Sequence, residues 1–351
     1  MPSSRGTDVW RAFAEDGPRK THIGGQALIE GVMMRGKDAW ALAVAKPDGT
    51  FHEEMHPLKD AKRPAWTRVP FVRGSFALFD SLALGFKALE IAASHAFEEE
   101  SSEGSADGTA SLSHAEMVAS LLIGTLLAVA LFMFLPALVS QLAVGDYSSN
   151  PLAWNLIDGV ARAAVFVTYV WAIGRVPDIK RMFAYHGAEH KTIHCHEHGL
   201  PLTPANARAF PRLHVRCGTA FLVMTILVAI VVYSVVPFGA AVEALGVEGS
   251  VQAFVVVLGL RLLLLPVIAG VSYEVTVKWA GSHPESRLVK AVLWPGLQMQ
   301  RLTTGEPDDV QLLCAVRAMQ QVLDHETAPQ APSSPCGKIV YPNGNCPERG
   351  L

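Results

Sequence analysis

Between Met117 and Ser140 lie 24 consecutive residues without a single charge. No other feature constrains the fold of this chain as strongly. A helix rises 1.5 Å per residue, so about 20 apolar residues cross the hydrocarbon core of a bilayer. Three further stretches have this character. Residues 156–174 are interrupted by Asp158 and Arg162, residues 219–237 carry no charge, and residues 251–272 carry only Arg261. The four stretches predict a mainly α, polytopic membrane protein with four transmembrane helices. The charge distribution agrees. Only 17% of the 351 residues are charged and the mean hydropathy is +0.27. The four stretches hold three of the 61 charged residues, so the remainder has the composition of an ordinary soluble chain. A net charge of −3 gives no electrostatic reason to expect a nucleic-acid partner.

The connecting segments give the orientation. Residues 141–155 and 238–250 contain no Lys or Arg, whereas residues 175–218 contain seven and the first 116 residues contain thirteen. Under the positive-inside rule both termini and the middle loop face the cytoplasm. The acidic run Glu98, Glu99, Glu100 and Glu103 before the first stretch works against this, so the later loops carry the assignment. Residues 1–20 hold no apolar signal region, which leaves the first span as the insertion signal. The five cysteines (195, 217, 314, 336 and 346) then lie on the reducing side, and no CxxC pair indicates a zinc ribbon.

The expected organisation follows: a tail over 1–21, a cytoplasmic hairpin region and surface helix over 22–97, and an acidic linker over 98–116. The spans are 117–140, 156–174, 219–237 and 251–272, with a His-rich loop over 175–218. A cytoplasmic segment over 273–326 and a disordered tail over 327–351 complete the chain. Residues 22–60 read as strands and turns. Trp40–Lys46 and Thr50–Met55 flank Pro47-Asp48-Gly49, in which Pro presets φ and Gly accepts a positive one. The glycines of residues 23–36 match neither a dinucleotide-binding nor a P-loop pattern. Residues 75–97 read as a helix lying on the membrane or packed under the bundle. From Pro307 onward, Leu312, Val316, Met319 and Leu323 recur at helical spacing, an amphipathic helix that needs a partner surface.

Five of the thirteen histidines fall within residues 186–198. His186, Glu189 and His190 spell H-x-x-E-H, which on a helix sets two imidazoles one turn apart. Two imidazoles so placed bind one divalent metal, Zn being expected, and Glu189 on the flank would act as general base. The third ligand is expected from the same side of the membrane. His194, one turn on, and Glu274, at the end of the fourth stretch, suit a hydrolytic site. His214 and Cys217 in His214-Val215-Arg216-Cys217 are further candidates, Cys217 suiting a structural site. Arg261 lies inside a span and requires an acid, carbonyls or water from elsewhere.

Several blocks in order resemble the bacterial YqhQ-like membrane protein family. They are Gly24-Gly25-Gln26-Ala27 with Glu30-Gly31-Val32-Met33-Met34-Arg35-Gly36, Val69-Pro70-Phe71-Val72-Arg73-Gly74, Tyr185-His186-Gly187-Ala188-Glu189-His190-Lys191, Arg216-Cys217-Gly218-Thr219, and Pro295-Gly296-Leu297 with Thr303-Thr304-Gly305-Glu306-Pro307-Asp308-Asp309. The resemblance spans about residues 22–323. It implies a bacterial inner-membrane protein, a domain of unknown function or a metal-dependent enzyme, with no substrate or reaction attached. Three functions are therefore expected to compete. The first is a metal-dependent hydrolase at the cytoplasmic membrane surface. The second is a non-enzymatic, oligomeric scaffold or assembly factor for membrane proteins. The third is a transporter or channel built around Arg261.

Overall fold

The computed structural model describes residues 7–58, 64–96, 114–145, 150–247, 250–283 and 286–327, apart from 15, 17, 18 and 281. Most of the expected linker over 98–116 and almost all of the tail over 327–351, with Cys336 and Cys346, lie outside the described residues.

The glycine-rich segment and the hairpin that follows form one four-stranded antiparallel sheet in the order β1-β2-β3-β4, larger than the single hairpin expected. Its strands are β1 (Gly24–Leu28), β2 (Gly31–Arg35), β3 (Ala39–Ala45) and β4 (Phe51–Pro57). The turn at Pro47-Asp48-Gly49 joins β3 to β4 with Gly49 at φ +81° and Ala45 opposite Phe51. Strand alternation sorts the sheet into two faces. Val32, Met34, Ala41 and Ala43 point to one side, and Leu28, Met33, Trp40, Leu42 and Val44 to the other. Two apolar faces require two covers. Helix α2 (Val72–Ala96) covers the second face with Ala88, Ala92 and Ala96. The first is covered by α6 (Pro177–Glu197) and by the C-terminal helix α12 (Asp309–Thr327). The partner surface that the amphipathic pattern of residues 307–323 demanded is therefore internal: Leu312, Ala315, Ala318, Met319 and Val322 are buried with the sheet and α6.

The apolar stretches form the second layer. Helix α3 (His114–Val129) continues through a π turn at Ala130–Phe134 into α4 (Leu135–Val144). The π turn precedes Pro136, which has no N–H to give to the helical ladder. Then come α5 (Pro151–Ile173), α8 (Gly218–Val235), the short α9 (Phe238–Ala244) and α10 (Ser250–Tyr273), which ends in a π-helical extension over Glu274–Ala280. In space α4 packs on α5, α5 on α8, α8 on α10, and α10 on α2. Among the described residues, three helices are long and apolar enough to cross a membrane: Leu122–Val144, Leu152–Ile173 and Val251–Ala280. A fourth results if Val223–Val235 and Phe238–Ala244, bent by 53°, count as one span. Their outward faces are apolar and exposed, as at Leu126, Leu142, Val231 and Leu263.

The described residues also include the helices α1 (Thr7–Ala14), α7 (Pro204–Arg208) and α11 (Arg287–Thr303) and a 3-10 turn at Ala65–Arg68. Helix α11 packs on α8 and links the bundle to the site described next.

Candidate metal centre

Helix α6 starts with Pro177 at its first position and Asp178 in its first turn, and stops at Gly199, whose φ is +69°. Between these ends almost every residue from Tyr185 to Glu197 is buried. A polar helix buried on all sides must have each polar group answered.

His186 and His190 lie one turn apart with ring centroids 4.4 Å from each other. Each ring is oriented through Nδ1, which donates to a backbone carbonyl: His186 to Thr303 O at 2.8 Å and His190 to Arg212 O at 2.6 Å. A neutral imidazole that donates through Nδ1 presents a lone pair at Nε2. This is the outer-shell arrangement that orients metal-binding histidines. The Nε2 of His186 faces Cys217 Sγ at 3.1 Å. The Nε2 of His190 is buried and meets no hydrogen-bond partner. The ligand atoms of His186, His190 and Cys217 all lie within 4.8 Å of one another.

The electrostatics of the cluster are those of a thiolate beside imidazoles. Burial pushes the Cys217 thiol up, but His190 and His186 outweigh it and hold the thiol well below its usual value. Burial disfavours charge on His186 as well, yet the Cys217 sulfur beside it raises the imidazole to about 9. Glu189 is shifted the other way. Its burial raises the carboxyl above the usual range, against the pull of His186 and His190.

A cavity of about 400 Å³ opens onto Glu189, His190 and Cys217. Its far wall is the outer strand β1, at Gly24, Gly25 and Gln26, with Arg35 of β2 and Ser81 of α2. Gly25 packs directly on Glu189: a Cβ there would fall 2.7 Å from Glu189 Cγ and 2.9 Å from Oε1. The glycine-rich opening block thus serves close approach to the carboxylate. Arg35 pairs with no carboxylate among the described residues.

Cys217 reaches the cluster because the loop after α6 runs back along the helix. Lys191 Nζ donates to the carbonyls of Phe210 at 2.7 Å and Arg208 at 3.2 Å, and pairs with Glu306 at 3.0 Å. Gln300 of α11 then clamps the backbone of His214, donating to its carbonyl and accepting from its N–H, each at 2.9 Å. Arg216 is tied to Glu197 and, at 3.0 Å, to Asp16.

The remaining candidates are placed elsewhere. Glu274 does not join the cluster. It accepts from Arg73 at 2.6 and 2.8 Å and from the Phe71 N–H at 3.1 Å, which ties the start of α2 to the end of α10. His194 belongs to a second buried group with Glu197 and His214. His194 Nε2 donates to Leu213 O at 3.0 Å, and Glu197 is engaged by Arg216 and by the Thr21 N–H at 2.9 Å. That group reads as internal bracing around Cys217, with a guanidinium already at its carboxylate. Arg261 finds its acid on another helix: Asp158 lies 3.7 Å away and also binds Arg162 at 2.7 Å. Tyr233 and Phe238 present their rings to the same guanidinium.

Sequence reasoning named Cys217 and His214 only as alternatives, and passed over Gln300, Glu197 and Arg35. A glutamine within an amphipathic helix leaves no pattern in sequence. The basic residue of Arg35-Gly36 is marked only by its place in the glycine-rich block.

Over residues 69–325 the chain matches the family described as protein of unknown function (DUF1385). It is 30% identical over 323 residues to the uncharacterized protein YqhQ of Bacillus subtilis (strain 168), covering 90% of this chain and 97% of that protein. No solved structure matches the chain.

Proposed function

The chain belongs to the YqhQ-like family of unknown function, and from that premise we propose that it is a multi-pass inner-membrane protein with a metal-dependent hydrolase centre at the cytoplasmic membrane surface. The observation that carries the reading is the buried Nε2 of His190. It makes no hydrogen bond of good geometry, faces the Cys217 sulfur, and converges with His186 and Cys217 beside an open cavity. A buried unsatisfied acceptor costs about 1–3 kcal/mol, and a metal ion removes that cost. Three protein ligands next to a cavity are the pattern of catalytic rather than structural zinc.

A divalent metal held there supplies Lewis acidity and a nucleophile at neutral pH. The protein's own groups divide the remaining work. Burial raises the Glu189 carboxyl above its usual range, which suits it to the role of general base: it would take the proton of the nucleophile and return it to the leaving group. Thr303 and Arg212 fix the imidazoles through their carbonyls. Arg35 gives the cavity a positive charge for an anionic portion of the substrate. The surplus of Lys and Arg on the loops that carry α6 supports a cytoplasmic site.

The scaffold reading keeps one supporting observation, the apolar stripe of Phe79, Leu82 and Phe86 on α2, with Phe79 69% and Phe86 70% exposed. Its other motive, an unpartnered C-terminal helix, is absent because α12 is buried against the sheet. The transport reading loses its motive in the same way, because Asp158 compensates Arg261.

The test is elemental analysis of detergent-purified protein, followed by hydrolysis of ester, peptide and phosphodiester reporters. Stoichiometric metal that falls away in His190→Ala and Cys217→Ser is expected. So is activity that Glu189→Gln abolishes while metal is kept. Absence of stoichiometric metal from the wild type refutes the proposal. Full activity in Glu189→Gln refutes the role of that carboxyl.

A further inference from the structure

On the opposite side of the sheet from α6 lies a second convergence of metal-type donors. Strand alternation points His52, Glu54 and His56 of β4 to one face, while Glu53 points to the other, where Arg317 of α12 binds it at 2.6 Å. Glu54 lies between the two histidines, with Oε1 2.8 Å from His52 Nε2 and Oε2 2.7 Å from His56 Nε2. The last turn of α2 brings in His95, whose ring stacks on His52 with centroids 3.6 Å apart and planes 26° apart. The ligand atoms of His52, Glu54 and His95 lie within 4.8 Å of one another, and all three residues are half-buried.

We propose that His52, Glu54 and His95 form a second divalent-metal site, with His56 on the free carboxylate oxygen, and that the bound ion ties β4 to the end of α2. Three observations support it. A single carboxylate already bridges two imidazole nitrogens, and a cation can take the place of the shared proton. Zinc with bonds of about 2.0–2.1 Å needs its donors roughly 3.3–3.5 Å apart, which small rotations of half-exposed rings supply. The partial exposure also gives an ion a way in and leaves a position for water. Two imidazoles and a carboxylate suit zinc and its first-row neighbours, and exclude the hard-cation chemistry of calcium and magnesium.

The site has a mechanical consequence. Helix α2 is fastened to α10 through Arg73 and Glu274, at the end opposite His95. An ion at His95 fastens the other end to the sheet, whose strand β1 seats Gly25 against Glu189. The site is independent of the His186 cluster, and its donors include no sulfur.

That difference makes the two sites separable with Co²⁺ as the probe. Full-length metal-free protein is titrated in detergent, following both the ligand-field bands and the thiolate-to-cobalt charge-transfer band. Stoichiometry is measured with Zn²⁺ in parallel. Wild type is expected to take up two ions, one of them with the thiolate band. His52→Asn/His95→Asn is expected to keep the thiolate band and lose one equivalent, with Co²⁺ binding at that site weakened at least tenfold. Cys217→Ser is expected to lose the band and keep the other ion. Melting of each metal-free variant with the wild-type transition identifies folded protein, and a single His95→Asn variant serves if the double variant melts early. Wild-type uptake of one ion, lost in Cys217→Ser and unchanged in His52→Asn/His95→Asn, overturns this proposal and leaves the hydrolase centre standing. One ion lost only in His52→Asn/His95→Asn supports this site and defeats the other.

Discussion

Gly187→Ala adds one methyl group to α6 without touching a ligand, and it should nonetheless weaken metal binding. A Cβ on Gly187 would be built onto the carbonyl oxygen of Gly305, well inside contact distance. That oxygen belongs to backbone and cannot swing aside as a side chain would. The Gly305 N–H is held by Phe183 O at 2.6 Å and Glu306 by Lys191 Nζ at 3.0 Å, so the segment after α11 is fastened to α6 on either side of the new methyl. The helix gains about 1 kcal/mol in propensity from replacing Gly by Ala. Overpacking costs about 1–3 kcal/mol. The net loss of stability is therefore about 0–2 kcal/mol, too little to unfold the chain. The larger effect falls on the site, because Thr303 lies two residues from Gly305 and its carbonyl orients His186 at 2.8 Å. Displacing such an outer-shell partner typically lowers metal affinity about 10–100-fold. The assay is zinc competition against a chelator of known affinity, alongside thermal melting with and without metal. Gly259→Ala is the control: this glycine is exposed in α10 with nothing within 4 Å of the added methyl, so affinity should be unchanged. Wild-type affinity in Gly187→Ala would refute the claim that contact between α6 and the 303–305 segment sets the geometry of His186.

Glu274→Ala should leave the metal content of the purified protein at the wild-type level, since Arg73 and Phe71 occupy its carboxylate; loss of the ion on elemental analysis would return Glu274 to the ligand set. Asp158→Asn should cost about 3–5 kcal/mol because it strands two arginines, and Arg261→Met distinctly less because the Asp158–Arg162 pair survives; thermal melts in detergent that rank them in reverse would contradict this. His194 is pushed down to about 3, mainly by burial and then by His214. The unfolded chain therefore binds a proton at this position below pH of about 6.5 that the folded chain does not. Stability of the metal-free protein should be full above that pH and fall by about 1.4 kcal/mol per pH unit from this group down to pH of about 3. His194→Gln should flatten the slope in denaturant titrations, and an unchanged slope would count against a neutral buried imidazole.

Local chemistry along the chain determined a good deal. Uncharged runs long enough to span a bilayer could only become long apolar helices, because no other structure satisfies so many backbone groups within one segment. Pro47-Asp48-Gly49 had to turn, since Gly49 takes the positive φ that the hairpin requires. The spacing of His186 and His190 put two imidazoles on one face of a helix by the geometry of 3.6 residues per turn. These readings depend on neighbours within about one turn or one hairpin.

What completes the pair of histidines was decided at long range. Cys217 lies 31 residues from His186 and Glu274 lies 88, and both come from the ends of apolar helices. Sequence spacing cannot rank them. The structure separates them through contacts that no local pattern records: Lys191 holding the 208–210 carbonyls, Gln300 gripping His214, and Arg73 claiming Glu274. The amphipathic face of α12 announced that it would be buried but not against what, because an apolar stripe is equally satisfied by a partner or by the chain's own sheet. Arg261 is the same case in charge: the sequence determined that it needed an acid, and only the packing of α5 against its neighbours made that acid Asp158. Burial is non-directional and charge acts through space, so each sets a demand locally that only the tertiary arrangement can meet.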